Sequence, residues 1–220
     1  SLWDYQLQAL KYALKALWRY YGEPDLEVNQ RKERFYGWYR DFGLEDDLDI
    51  SLDKSSAAKR RLAALQETYY VSVDDKLPYA QFINSICFWM ATGSGKTLVI
   101  VKLIELLHEL IKRGEIPNND ILILAHRDDL LDQLREHIAD YNTSGDLYIR
   151  LYELRDYSEV KRAQPNLFAK NERTIFYYRS DNLSDEQKEK IIDFRNYDNH
   201  GRWFILLDEA HKGDREDSKR

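Results

Sequence analysis

From Gln81 onward the chain alternates between two hydrophobic patterns that belong to different elements. Short, nearly continuous apolar runs fall at residues 86–90, 121–125, 147–151, 174–178 and 203–207. Longer stretches, at 97–112 and 128–141, carry apolar residues at helical spacing. A short run with no polar alternation is a strand buried on both faces, whereas helical spacing marks one face of a helix. Strands that alternate with helices pair in parallel, because each helix returns the chain to the same end of the sheet. The expected fold is therefore α/β, a mostly parallel sheet covered by helices on both faces. A weaker helical stretch lies between 151 and 174, and Ser184 with Gln187 at capping-box spacing predicts a helix over 186–194.

The residues before Gln81 have another character. Leu7, Leu10, Leu14, Leu17 and Tyr21 predict an amphipathic helix over 2–21, stopped by Gly22 and Pro24. Residues 31–42 interleave basic and aromatic side chains, among them Arg31, Lys32, Arg34, Phe35, Tyr36, Trp38, Tyr39 and Arg40. Stacking surfaces for single-stranded nucleic acid have this mixture. A helix that packs its rings on a core and keeps its basic tips in water accounts for it more simply. An acidic cluster around Glu45, Asp46 and Asp47 follows, then a helix from about 55 to 68 and a short strand at 71–73. The expected division is an N-terminal helix (1–22), a small, mainly helical insertion (23–80) and the α/β domain (81–220).

Chemistry concentrates at two places. Ala91-Thr92-Gly93-Ser94-Gly95-Lys96-Thr97 stands between the first expected strand and the helix after it. Glycines let a backbone wrap phosphates and aim N–H groups at them, and a helix N-terminus adds positive potential. Lys96 suits the β- and γ-phosphates of a nucleoside triphosphate, and the Thr97 hydroxyl suits its Mg²⁺. Thr92, Gly93, Ser94 and Gly95 would form the wrap. Met90 stands where the general pattern has its first glycine. The second place is Asp208-Glu209-Ala210-His211, at the end of the last apolar run. Carboxylates at the carboxyl ends of parallel strands face the ligand crevice. Asp208 can hold Mg²⁺, and Glu209 can orient and deprotonate an attacking water. His108, His126, His137 and His200 have no metal-ligand spacing, so the only metal expected is the Mg²⁺ of the nucleotide.

These two segments resemble motif I and the DEAH form of motif II of superfamily 2 helicases. Residues 2–9, Leu-Trp-Asp-Tyr-Gln-Leu-Gln-Ala, are similar to the start of such proteins, and the resemblance implies that Gln6 reads adenine. Leu124-Ala125-His126-Arg127-Asp128-Asp129-Leu130, with Gln133, resembles motif Ia, which implies that His126 and Arg127 touch a nucleic-acid backbone. That segment is closer to the motor subunits of type I and type III restriction enzymes than to DEAD-box RNA helicases. The resemblance implies an incomplete first RecA-like domain that binds ATP and Mg²⁺, with His211 coupling the nucleotide to movement. It also implies DNA as the polymer in preference to RNA, and a second RecA-like domain after Arg220 with motif III and an arginine finger. A nuclease domain or a modification subunit would be a further partner. Residues 23–79 lie outside the resemblance, and Tyr177-Tyr178-Arg179 departs from the threonine-rich motif Ic.

Composition sets the remaining bounds. A net charge of -6 argues against a small sequence-independent nucleic-acid binder, which would be basic. Cys87, the single cysteine, excludes an internal disulfide; in its apolar run it is expected to be a small buried hydrophobe in a cytoplasmic protein. No secretory signal or membrane span is expected, because Lys102, Glu105, His108 and Glu109 interrupt the most apolar stretch. Ser1 is not an initiator methionine, so the chain reads as processed or as beginning within a longer protein. Three functions stay open: a DNA-dependent ATPase motor, an RNA helicase of the DEAH type, and a nucleotide-regulated binding module without useful turnover.

Overall fold

The structure is a computed structural model that describes residues 2–23, 25–41, 48–91, 93–163, 171–180, 183–184, 192–193 and 199–208. The chain divides into two compact units, Ser1–Trp89 and Met90–Arg220.

The first unit is built on α1 (Asp4–Tyr21) and α2 (Val28–Asp41). Gly22 ends α1, and a Cβ there would lie 2.6 Å from the Trp18 carbonyl oxygen, so the close turn requires glycine. Ala16, Tyr20, Phe35 and Ile83 form a small core ringed by Tyr21, Tyr36, Trp38, Tyr39 and Tyr79. The aromatic residues of 31–41 are thus spent on packing, and Phe42 lies outside the described residues. The Arg31 guanidinium lies over the rings of Tyr20 and Tyr21, at 5.6 and 5.2 Å from their centroids, and Arg19 lies over Trp38 at 5.1 Å. A second small core joins β1 (Ile50–Ser51), α3 (Ala57–Tyr69) and β2 (Lys76–Leu77) through Leu52, Ala63 and Leu77. Ser56 caps α3 by accepting the Lys59 N–H. The strand expected at 71–73 is reduced to one bridge, Val73 with Lys76, closed by Asp74 and Asp75 at positive φ. Two left-handed residues form the tight turn that joins a hairpin, and this curtails any longer strand.

Two further expectations fail in this region. Residues 86–90 carry no strand: Ile86 is 46% and Trp89 92% exposed, and Cys87 is exposed rather than buried. Apolar composition supplies faces to bury, but a strand also needs a neighbour for its N–H and C=O groups. Among the described residues none pairs with 86–90.

The second unit is the α/β body. Helix α4 (Lys96–Lys112) is followed by β3 (Asp120–Ala125), α5 (Asp128–Ser144), β4 (Tyr148–Glu153), a single 3₁₀ turn at Leu154–Asp156, α6 (Tyr157–Ala163) and β5 (Glu172–Arg179). After them come β6 (Leu183–Ser184), β7 (Ile192–Asp193) and β8 (Trp203–Leu207). Four strands make a parallel sheet in the order β4-β5-β3-β8. β3 lies between two partners and its Ile121, Leu122, Ile123 and Ala125 are all buried, which is why its sequence is apolar without alternation. On one face Leu122, Phe176 and Tyr178 pack with Leu154, Tyr157 and Val160 of the turn and α6. Residues of opposite parity, such as Ile123, Ile149 and Ile175, lie on the other face, where α5 crosses β3, β4 and β5 and α4 packs on α5.

Coverage is incomplete at β8. Its Ile205 and Leu207 are 58% and 50% exposed, while helices flank the centre of the sheet as expected. The helix expected over 186–194 is also corrected at its end: Ile192–Asp193 pairs in parallel with Leu183–Ser184. β-Branched Ile192 favours extended backbone over helix there, and residues 186–191 and 194 lie outside the described residues.

Candidate nucleotide site and carboxyl edge of the sheet

The phosphate-loop segment has the backbone its glycines predict. Gly93 and Gly95 have φ of 77° and 75°, in the left-handed region that side chains disfavour. A Cβ at Gly93 would meet nothing within 4 Å, so glycine serves conformation there and not a steric gap. The Ser94 N–H donates to the Ala91 carbonyl at 3.2 Å, which curls the loop, and Gly95 is the N-cap of α4. Lys96 and Thr97 open that helix and are half-buried. Their N–H groups belong to the first turn, where no intrahelical carbonyl is available to them. Thr92 lies outside the described residues.

The direction of α4 follows from its far end. Glu105, His108 and Lys112 line a small cavity with Asp146 and Asn171, which precede β4 and β5. The C-terminal half of α4 is therefore at the amino edge of the sheet. Its N-terminus, with Lys96 and Thr97, points to the carboxyl side.

The carboxyl edge carries the other chemistry. Asp208 directly follows β8, and its N–H donates to the Leu124 carbonyl of β3 at 2.9 Å. His126 and Arg127 directly follow β3, with His126 half-buried and Arg127 exposed. Glu209 and His211 lie outside the described residues. Gln6 is in the first unit, 2% exposed, and its Oε1 accepts the Trp3 N–H at 2.9 Å. That bond caps α1, so Gln6 has a local structural function whatever it also reads.

Several contacts on this edge were not foreseen by sequence reasoning. Arg135 of α5 donates to the Tyr177 hydroxyl at 2.6 Å, and that hydroxyl donates to Glu153 at 3.3 Å. Arg155 donates to the Tyr178 hydroxyl at 2.7 Å. Arg179 Nη1 donates to Asp128 at 2.8 Å, and Arg127 holds Asp129. Burial raises the Tyr177 hydroxyl against the opposing pull of Arg135, so it stays protonated. Hydrogen bonds from Arg127 hold the Asp129 carboxyl below its ordinary range. The only sequence signal for these contacts was the departure of Tyr177-Tyr178-Arg179 from the family pattern.

The donor set fits a magnesium nucleotide: a lysine and a helix N-terminus for phosphates, a hydroxyl and a strand-end carboxylate for the ion. The family model that the chain matches defines the class, a RecA-like, helicase-type ATPase motor domain. Residues 51–220 match the family model of the type III restriction enzyme, res subunit, and the chain belongs to that family. Searches of curated proteins and of solved structures return no match. No described helix is long and apolar enough to cross a membrane.

Proposed function

We propose that the chain binds and hydrolyses ATP to drive movement along DNA, as the first RecA-like domain of a restriction-enzyme motor. The observation that carries this reading is the left-handed Gly93–Gly95 loop, which runs into the N-terminus of α4 on the side of the sheet where Asp208 lies. Backbone N–H groups of the loop would cradle the phosphates, and Lys96 would offset charge on the β- and γ-phosphoryl oxygens. Thr97 and Asp208 would hold Mg²⁺, which supplies further charge compensation when bound. Glu209 would orient the attacking water and accept its proton. Gln6 would read adenine, and His211 would pass the state of the nucleotide to the polymer. His126 and Arg127 would meet the DNA backbone. A second RecA-like domain, a nuclease domain or a modification subunit would be the protein partners, in the cytoplasm.

The test is ATP hydrolysis by the full-length protein with duplex DNA, single-stranded DNA and RNA. DNA-stimulated turnover that Glu209→Gln abolishes supports the reading. Stimulation by RNA alone would establish the RNA-helicase alternative. Tight ATP binding without turnover under any condition would establish the binding-module alternative.

A further inference from the structure

Four charged side chains form two ion pairs at the carboxyl edge, beside the segment assigned to the DNA backbone. Ala125 is in register with Arg179, so the end of β5 sits next to the start of the His126-Arg127 segment. Arg127 Nε donates to Asp129 Oδ1 at 2.7 Å, and its Nη2 bonds the same carboxylate. Arg179 Nη1 donates to Asp128 Oδ2 at 2.8 Å. The pairs are open to solvent, with side-chain exposures of 52% and 50% for Arg127 and Asp129, and 31% and 71% for Arg179 and Asp128. Both acids are the first residues of α5, so the helix fixes where they stand. Arg179 ends β5 and Arg127 is the N-cap residue of α5, so both arginines stand at the same helix turn.

A carboxylate offers a guanidinium two oxygens much as a phosphodiester does. We infer that Asp128 and Asp129 are a built-in competitor for the nucleic-acid backbone, holding Arg179 and Arg127 until phosphodiester groups displace them. This rests on the proposed nucleic-acid reading of the edge and adds to it Arg179 as a second phosphate contact and a brake on affinity. Solvent-exposed ion pairs are weak enough to exchange. A phosphate drives the exchange through counterion release, which carboxylates of the same chain do not provide. Asp128 and Asp129 also repel any phosphate that approaches. The consequence is a backbone contact that forms and lets go easily, as stepwise movement requires. It also fits a chain that is acidic overall, at -6, while binding a polyanion.

The test is the affinity of the full-length protein for a fluorescent single-stranded oligonucleotide, without nucleotide, over a series of salt concentrations. Asp128→Asn with Asp129→Asn keeps side-chain oxygens at the helix start and removes both charges. It should bind roughly three- to tenfold tighter at low salt. Arg179→Ala should bind weaker by a similar factor. In an Arg127→Ala, Arg179→Ala background the double Asn change should give no gain, because the held groups are gone. An equal gain with and without the arginines would mean a general field effect, and would overturn the competitor. Unchanged affinity in the double Asn variant would overturn it too. If wild type binds but Arg179→Ala binds equally well, this inference fails while the nucleic-acid reading stands. If wild type binds neither DNA nor RNA, both fail. Should the Asn variant melt early, Ser at both positions keeps a capping oxygen and is read the same way.

Discussion

The two edges of the sheet in the second unit are both rich in charge and are built in opposite ways. At the amino edge Asp120 accepts hydrogen bonds from Tyr157 at 2.8 Å, Lys161 at 2.7 Å and Asn199 at 3.3 Å. Arg173 donates to Asn118 at 2.9 Å and to the Asn119 carbonyl, and burial lowers its pKa. These groups are shared among several partners and partly withdrawn from water. At the carboxyl edge Arg127 and Arg179 pair with acids of the adjacent helix turn in open solvent, while Arg135 and Arg155 bond the Tyr177 and Tyr178 hydroxyls behind them. Removing one member of a multiply bonded, desolvated group leaves the others unsatisfied, whereas water replaces a lost surface partner at little cost. The amino edge is thus organised to hold the sheet together, and the carboxyl edge to exchange partners.

The sharpest way to break this contrast is at the loop. Lys96→Ala should lower ATP hydrolysis by the full-length protein at least about 100-fold, as losing a charge-stabilising donor does. Circular dichroism and the melting transition should be unchanged, because Lys96 is half-buried at a helix start and contributes nothing to the core. Wild-type turnover would remove the phosphate loop from the carboxyl side and the contrast with it. At the amino edge the expected effect is on stability. Arg173→Met should cost about 1–3 kcal/mol, the scale for leaving buried hydrogen-bond partners unsatisfied. Urea unfolding followed through Trp203, the one tryptophan after Met90, measures it. A cost below about 1 kcal/mol would put Arg173 in the same class as the surface pairs.

Legibility in the sequence followed burial. β3, α4 and α5 were readable because each commits a periodic apolar set to a core, as Ile104, Leu107 and Leu110 do on α4. The left-handed turn before α4 was readable because its glycines and the helix start are local. The run at 86–90 misled because apolar content reports a tendency to bury, while a strand is defined by a partner elsewhere in the chain. Residues 192–193 misled because a capping pattern outweighed a β-branched isoleucine. Asp128 and Arg179 stand 51 residues apart, and no local pattern could pair them.

His108 tests whether the amino edge resists charge as well as loss of partners. Among the described residues neither of its ring nitrogens has a hydrogen-bond partner, and its pKa is lowered from 6.5, by burial first and then by Arg173. The folded state therefore binds the proton less readily than the unfolded chain does. Stability attached to this group is intact above 6.5 and falls as pH drops below it, until the folded pKa is passed. Urea midpoints at a series of pH values should show His108→Gln flattening that slope. An identical slope in the variant would assign the acid sensitivity to other groups.

The smallest effect expected is the counterpart of Arg173 at the other edge. Arg179→Ala removes an arginine of the same strand, β5, six residues further along. Its partner Asp128 keeps 71% of its side chain in water, so the lost carboxylate contact is taken over by solvent. Asp128 is also in the first turn of α5, where the helix N-terminus favours a carboxylate whether or not an arginine faces it. Stability should change by about 0.5 kcal/mol or less, within the range of exposed ion pairs. The comparison is clean because both arginines leave the same strand and differ in which edge they serve. If Arg179→Ala destabilised the unit as much as Arg173→Met, the carboxyl-edge pairs would be fixed parts of the fold. Arginines fixed in that way could not turn from carboxylate to phosphate.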